Sequence, residues 1–147
     1  MIRDARPEEI GTLEEIKRSA SMIWDAYRDL LIAYPDAVTL APEAIEEGRV
    51  RVAVGDGDEP LGIAVVLAVR DGACELTGLF VAPEHMRRGI GRALLDDVVE
   101  RARRDGATRV DVTAADAIPF YKQAGFVPGE QIQTRFGPAR RLHLVLA

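Results

Sequence analysis

Apolar residues follow two different spacings along this chain, and the first is helical. Ile10, Leu13 and Ile16 recur at three-residue intervals after Pro7 and two glutamates. Proline suits the first turn of a helix, and acidic side chains favour its positive end. The pattern therefore predicts a short strand within residues 1–6 and then a helix. A second helix should follow, with these apolar residues on one face: Ile23, Tyr27, Leu30, Leu31 and Tyr34.

The spacing changes after residue 48. A short helix beginning at Pro42 should end at Gly48, and the apolar runs 49–54, 61–70 and 73–82 are typical of strands. The Asp71-Gly72 pair between the last two runs predicts a tight hairpin turn.

An amphipathic helix is predicted over 89–105, ended by Gly106 in the left-handed conformation. Its buried face should carry Ile90, Ala93, Leu94, Val98 and Ala102, and its exposed face Arg92, Asp96, Glu100 and Arg103. Asp97 with Arg101, and Glu100 with Arg104, have the spacing of ion pairs along one helix.

The remaining elements complete one domain over residues 1–147. We expect a strand at 108–113, a helix at 116–123 with Asp116 as its cap, and two strands that meet at residues 136–138. The order β-αα-βββ-α-β-α-ββ predicts one mixed sheet with helices on both faces, of class α/β or α+β.

The segment between the strand at 73–82 and the long helix has unusual chemistry. A helix leaves its first N–H groups unpaired, and a Ser, Thr, Asp or Asn side chain usually accepts from them. No such side chain and no carboxylate stands between Glu84 and Asp96. The residues there are Met86, Arg87, Arg88, Gly89, Ile90, Gly91 and Arg92. Three arginines at the positive end of a helix predict that an external anion binds there, and a phosphate-bearing ligand fits best.

The composition limits the kinds of partner that this chain is expected to bind. The chain has 147 residues, 48% hydrophobic and 29% charged, which is typical of a globular protein and excludes disorder. Its net charge of −5 disfavours general attraction to nucleic acid or to an anionic membrane. We find no signal segment and no membrane span, so a cytoplasmic location is expected. Cys74 is interpreted as a core residue, and neither His85 nor His143 has neighbours suited to a metal site.

Two blocks carry a resemblance to a known family. FVAPEHMRRGIGRALL (80–95) and DAIPFYKQAGFV (116–127) resemble the GNAT superfamily of acetyl-CoA-dependent N-acetyltransferases. The family motif Arg/Gln-x-x-Gly-x-Gly/Ala falls on residues 86–91, where Met86 replaces the first residue and both glycines match. The resemblance implies a single GNAT-like domain with a mixed, mostly antiparallel, splayed sheet of 6–7 strands. It also implies acetyl-CoA as the cofactor.

The family further implies a pose for coenzyme A. Its pyrophosphate would rest on the N–H groups from Arg87 through Arg92, with Met86 at the position of a side-chain contact. Its pantetheine arm would run beside Leu79, Phe80 and Val81, pairing with their backbone as an added strand does. Gly78 is interpreted either as a close backbone approach or as a small residue under a helix.

Candidates for the chemistry follow from the same resemblance. Tyr121 occupies the position of the acid that protonates the departing thiolate; alternatively it is a structural tyrosine bonded to a backbone carbonyl. Glu75, six residues before Val81, is the candidate base, and the alternative is an arginine partner across the strands. Asp111 is a second candidate base, with a solvated strand residue as its structural alternative. Many relatives use a water chain instead.

The resemblance implies an N-acetyltransferase that moves an acetyl group from acetyl-CoA to a primary amine of a small molecule or peptide, by direct attack in a ternary complex. Trp24, Asp25, Tyr27 and Arg28 lie in the segment that covers the acceptor slot in the family, although core packing is the stronger interpretation for Trp24 and Tyr27.

Other functions and assemblies remain open at this point. The alternative function is a non-catalytic acyl-CoA-binding or regulatory module, suggested by Met86 and by Ala114, which replaces a family asparagine. A dinucleotide enzyme is disfavoured, because Leu94 stands where a third glycine is needed. A homodimer could form through an edge strand at 140–146.

Overall fold

A computed structural model describes residues 1–146, apart from the side chains of residues 25–27. The strands are β1 (Ile2–Asp4), β2 (Val50–Val54), β3 (Pro60–Val66), β4 (Ala73–Val81), β5 (Arg109–Ala114), β6 (Val127–Thr134) and β7 (Gly137–Val145). The α-helices are α1 (Ile10–Met22), α2 (Asp25–Ala33), α3 (Pro42–Glu46), α4 (Ile90–Arg104) and α5 (Ile118–Gln123). Single 3-10 turns lie at Pro7–Glu9, Pro35–Val38 and Pro83–His85.

The seven strands form one mixed sheet in the order β1-β2-β3-β4-β5-β7-β6. The β4–β5 pair is parallel, whereas β1–β2, β2–β3, β5–β7 and β6–β7 are antiparallel. This topology confirms the predicted mixed, mostly antiparallel sheet. The prediction that residues 140–146 form an edge strand is wrong, because β7 is hydrogen-bonded to β5 on one side and to β6 on the other.

The chain folds as two compact units, Met1–Val65 with Gly78–Asp97 and Val66–Thr77 with Val98–Ala147. In the first unit, α1 packs on β2 and β3 through a core that includes Leu13, Val52 and Ile63. Helix α4 approaches β3 closely, since a Cβ added at Gly62 would lie 3.2 Å from Leu94 and 3.3 Å from Ile90. The glycine therefore lets helix and strand come together.

The charged side of α4 differs from its sequence prediction. Asp97 does not pair with Arg101; Arg51 of β2 donates to both of its carboxylate oxygens, at 2.9 and 3.2 Å. Ala93, expected on the buried face, is exposed. The Glu100–Arg104 pair is confirmed at 3.5 Å. A tertiary partner displaced the local one because Arg51 reaches Asp97 where both side chains are largely shielded from water.

In the second unit, buried residues of three adjacent strands form the core, among them Leu76, Val110 and Leu142. The Asp71-Gly72 hairpin is confirmed, with positive φ at both residues (52° and 78°), as a type I′ turn requires. Helix α5 begins differently from the prediction. Its N-cap is Ala117 in the left-handed conformation, and no side chain caps it, so the capping role given to Asp116 is wrong.

Among the described residues, no helix combines the length and apolar character that crossing a bilayer needs.

Candidate active site

The turn between β4 and α4 has the backbone of an anion cradle. Arg87 has a φ of 65° and Gly89 a φ of 79°, so two left-handed residues stand within three positions. Turns of this kind point successive N–H groups into one concavity and bind anions. The left-handed conformation costs a non-glycine residue about 1–2 kcal/mol. Strain of that size at Arg87 is characteristic of functional loops.

Helix α4 starts without a side-chain cap. Its first helical hydrogen bond runs from the N–H of Ala93 to the carbonyl of Gly89, at 3.0 Å. The N–H groups of Ile90, Gly91 and Arg92 precede that bond, and no side chain in the described part of the chain accepts from them. A Cβ added at Gly89 would meet no atom within 4 Å. The space at Gly89 is therefore open, and the N–H groups beside it are available to an external anion.

The three arginines of the turn have different surroundings. Arg92 pairs with Asp96 on its own helix at 3.0 Å. Arg88 is exposed, and its Nη1 lies 3.3 Å from Nδ1 of His85. Arg87 is exposed too, and no carboxylate of a described residue pairs with either Arg87 or Arg88. His85 is half-buried beside Arg88. Two uncompensated cations thus stand at the cradle.

The last part of β4 presents apolar surface. Leu79, Phe80 and Val81 are all half-buried, with no alternation between the two faces. A Cβ added at Gly78 would lie 2.7 Å from Cε2 of Phe80, so this glycine makes room for the Phe80 ring rather than for a helix. Three consecutive half-buried apolar residues offer a surface on which an extended ligand can lie.

Sequence reasoning missed one residue beside this strand. Lys17 of α1 places Nζ 5.6 Å from the centre of the Phe80 ring. Burial lowers the pKa of the Lys17 ammonium below its ordinary value, and the nearby Glu14 partly offsets the effect. The sequence does set Lys17 apart in one respect: it is one of only two lysines among 19 Lys and Arg residues.

In the second unit, Glu75 has the arginine partner that was weighed against its role as a base. Arg141 of β7 donates through Nη1 to Oε1 of Glu75 at 2.7 Å and to the Thr113 hydroxyl at 2.7 Å. Oε2 of Glu75 is buried and, in the described part of the chain, is the one buried side-chain N or O atom without a hydrogen bond. One oxygen of Glu75 therefore accepts from Arg141, and the other has no hydrogen bond from any described residue.

Asp111 is not the solvated strand residue of its structural interpretation. It is 8% exposed, and Oδ1 accepts from Nε of Arg109 at 2.8 Å. Arg141 lies 3.6 Å from Oδ2. The Asp111 carboxylate raises the pKa of the Arg109 guanidinium. Glu75 and Asp111 face each other in the β4–β5 register, and the arginines compensate their charges.

Tyr121 is 7% exposed and lies among aromatic rings, with ring centres 5.2 Å from Phe120 and 5.5 Å from Phe126. Burial raises its pKa to about 12, so the phenol stays protonated near neutral pH. No described residue accepts a hydrogen bond from its hydroxyl, which rules out the bonded carbonyl of the structural interpretation within that part of the chain. The proton therefore remains available.

The proposed acceptor segment is only partly described. Trp24 is 41% exposed, so its interpretation as a core residue is wrong. Nε of Arg28 donates to the carbonyl of Met22 at 2.9 Å. The side chains of Asp25 and Tyr27 lie outside the described residues. Ala114, the position of the missing family asparagine, is buried in β5.

A family model described as the acetyltransferase (GNAT) family matches residues 16–126, which is more than half of the chain. The chain belongs to this family. It is 26% identical over 106 residues to the uncharacterized N-acetyltransferase YvbK of Bacillus subtilis, covering 69% of this chain and 68% of that one. The resemblance inferred from residues 80–95 and 116–127 is confirmed.

Solved structures of GNAT proteins share the fold. The paiA N-acetyltransferase of Thermoplasma acidophilum, in complex with coenzyme A, matches with a TM-score of 0.79 at 18% identity, over 99% of this chain and 98% of that one. The YncA protein of Salmonella typhimurium, with its cofactor acetyl-CoA, matches with a TM-score of 0.73 at 23% identity, over 100% and 94%. With the family shown, the protein is an acyltransferase.

Proposed function

We propose that this acyltransferase moves an acetyl group from acetyl-CoA to the primary amine of a small molecule or peptide, by direct attack within a ternary complex. One observation carries the proposal: among the described residues, no side chain accepts from the first N–H groups of α4, and no carboxylate pairs with Arg87 or Arg88 beside them. The relatives crystallised with coenzyme A or acetyl-CoA support the identity of the anion.

The cofactor would be held mainly by backbone. The N–H groups of residues 87–92 would donate hydrogen bonds to its pyrophosphate, and the helix dipole and the arginines would add attraction. Leu79, Phe80 and Val81 would line the path of its pantetheine arm. Met86 would contribute an apolar contact in place of a charged one. When bound, acetyl-CoA supplies the activated carbonyl on which the reaction depends.

Proton transfer is assigned to the second unit. A primary amine has a pKa near 10 and must lose a proton before it attacks. Glu75 is the proposed base through its unpartnered Oε2, because both oxygens of Asp111 have arginine neighbours. A chain of water molecules is the alternative. Tyr121 is the proposed acid, since its phenol is protonated near neutral pH and no described residue accepts a hydrogen bond from its hydroxyl. The oxyanion would be held by a backbone N–H near residues 79–81.

Binding of coenzyme A tests the cradle directly. Gly89→Glu should weaken the affinity for coenzyme A at least about tenfold, which is 1.4 kcal/mol, because a carboxylate then competes with phosphate. Gly48→Glu is the matched control: Gly48 also has a positive φ (72°) and open space around its Cβ position, and it follows α3. Titration calorimetry on both variants gives the comparison. Equal affinity of Gly89→Glu and the wild type would overturn the proposed pose.

Turnover separates the enzyme from a binding module. Thiol release from acetyl-CoA should rise when a panel of polyamines, amino acids, peptides and amino sugars is supplied. Tight binding of acetyl-CoA without release across the whole panel would instead support the non-catalytic alternative.

A further inference from the structure

Lysine is scarce in this chain, and its two examples differ sharply. Lys17 and Lys122 are the only lysines among 19 basic residues, the rest being arginine. Lys122 lies on the exposed side of α5, as a surface lysine normally does. Lys17 is half-buried on α1. Guanidinium groups are not acylated under conditions in which a neutral lysine amine is, so the two lysines are the side-chain amines open to acyl transfer.

The surroundings of Lys17 hold its amine at β4. Its Nζ lies 5.6 Å from the centre of the Phe80 ring, within the distance at which a ring face attracts an ammonium. No carboxylate of a described residue lies within ion-pair distance of it. The nearest acid along the helix, Glu14, instead accepts from the N–H of Leu40 through Oε2 at 2.7 Å. The ring positions the head group, and no salt bridge occupies it.

Burial then changes the chemistry of this amine. Removing the ammonium from water disfavours its charged form, so the pKa of Lys17 is lowered. Near neutral pH, the lowered pKa increases the fraction of Lys17 that is the neutral amine. Only the neutral amine has the lone pair that attacks a carbonyl carbon.

We propose that Lys17 is itself an acyl acceptor, so that the protein acylates its own α1 from an acyl-CoA thioester lying along β4. The inference rests on the proposed function, which places the acyl arm beside Phe80. The amine lone pair forms a C–N bond to the thioester carbonyl carbon, and the C–S bond breaks. The proton lost from nitrogen passes to the departing thiolate, giving an amide at Lys17 and free coenzyme A thiol.

Acylation of Lys17 would change the contact between α1 and the Phe80 ring. An acylated Lys17 carries no charge and adds bulk over the ring, so the cation–π contact is lost. A lysine that merely covers apolar surface with its stem would remain unmodified, which distinguishes a structural role from the proposed one.

The test incubates the intact protein with acetyl-CoA in the absence of an amine and follows both lysines by peptide mass spectrometry. Lys17 should be acetylated at least about tenfold faster than Lys122, because amine and thioester react within one complex. The Lys17 rate should not change when the protein is diluted. Gly89→Glu should slow Lys17 without slowing Lys122, and Gly48→Glu should slow neither. Protein unfolded in urea should show equal rates at the two lysines.

Equal rates at Lys17 and Lys122 in the folded protein, or a Lys17 rate proportional to protein concentration, would overturn the inference. Calorimetry with coenzyme A is run on the same samples. If coenzyme A binds and added amines are turned over while Lys17 stays unmodified, this inference fails and the proposed function stands. If coenzyme A does not bind, both fail. Lys17→Arg keeps the charge, and its peptide should gain no acetyl group.

Discussion

The two halves of β4 differ in pattern: the first alternates buried and more exposed residues, whereas the second is a run of half-buried residues. In the first half, Cys74 and Leu76 are 4% and 1% exposed, and the strand pairs with β5 from Ala73 to Leu76. In the second half, Leu79, Phe80 and Val81 are all half-buried. The first half is closed by its own neighbours. The second half retains apolar surface and backbone groups that a ligand could contact.

We therefore expect β4 to contribute to stability along its first half and to binding along its second. Burial by the protein's own side chains stabilises the fold, whereas consecutive half-buried apolar residues mark a binding surface. Substitutions in the first half should therefore change the free energy of unfolding, and substitutions in the second half should change ligand affinity.

The sharpest test replaces a leucine in each half. Leu76→Ala should lower the free energy of unfolding by about 3 kcal/mol, because it leaves a cavity in a closed core. Leu79→Ala should lower it by less than about 1.5 kcal/mol, since part of that side chain already faces outward. Urea unfolding measures both. The affinity for coenzyme A should fall only for Leu79→Ala, and the opposite pattern would break the comparison.

The closed half also contains a thiol that should make the free energy of unfolding depend on pH in the alkaline range. Burial raises the pKa of the Cys74 thiol to about 11, from an ordinary value of 9.0. Between those pH values the unfolded chain loses this proton and the folded chain keeps it. Stability from this group is therefore complete below pH 9 and declines as pH rises to 11, by about 2–3 kcal/mol in total.

Urea unfolding of the wild type and Cys74→Ala at pH 8 and pH 11 isolates that contribution. The wild type should lose about 2–3 kcal/mol more than the variant over this interval. Parallel loss in the two proteins would mean that the thiol ionises freely in the folded state, against the closure of this half.

Tyr121 belongs to the same compact unit as the closed half, so a catalytic role there would show that the unit does more than stabilise. Tyr121→Phe should lower kcat about tenfold to a hundredfold with little change in KM, because it removes only the proton. Aromatic packing with Phe120 and Phe126 is kept in this variant. An unchanged kcat would remove the acid role.

Glu75 is the exception within the closed half, since its Oε2 is buried without a partner. Glu75→Gln should lower kcat about tenfold, as loss of a base does. Thr113→Val is the control, because it removes another hydrogen bond of Arg141 and leaves the carboxylate in place. Equal losses in both variants would reduce Glu75 to a partner of Arg141.

The order of elements and the form of the turns could be predicted from local stretches of the chain. Asp71-Gly72 and Gly89 adopt the positive φ values that their residue types favour, and proline opens the helix at Pro42. The uncapped start of α4 was equally visible, because capping depends on side chains within a few residues. These features are local, so a linear pattern carries them.

The contacts between distant side chains depend on the tertiary structure. Asp97 pairs with Arg51 instead of Arg101, Glu75 pairs with Arg141, and Lys17 lies over the Phe80 ring. The alternation of residues in a strand indicates which of them share a face, but it does not indicate which strand lies beside it. The position of β7 between β5 and β6 therefore could not be predicted from its sequence. Partners brought together by the sheet order and by helix packing depend on the whole chain at once, and no local pattern specifies them.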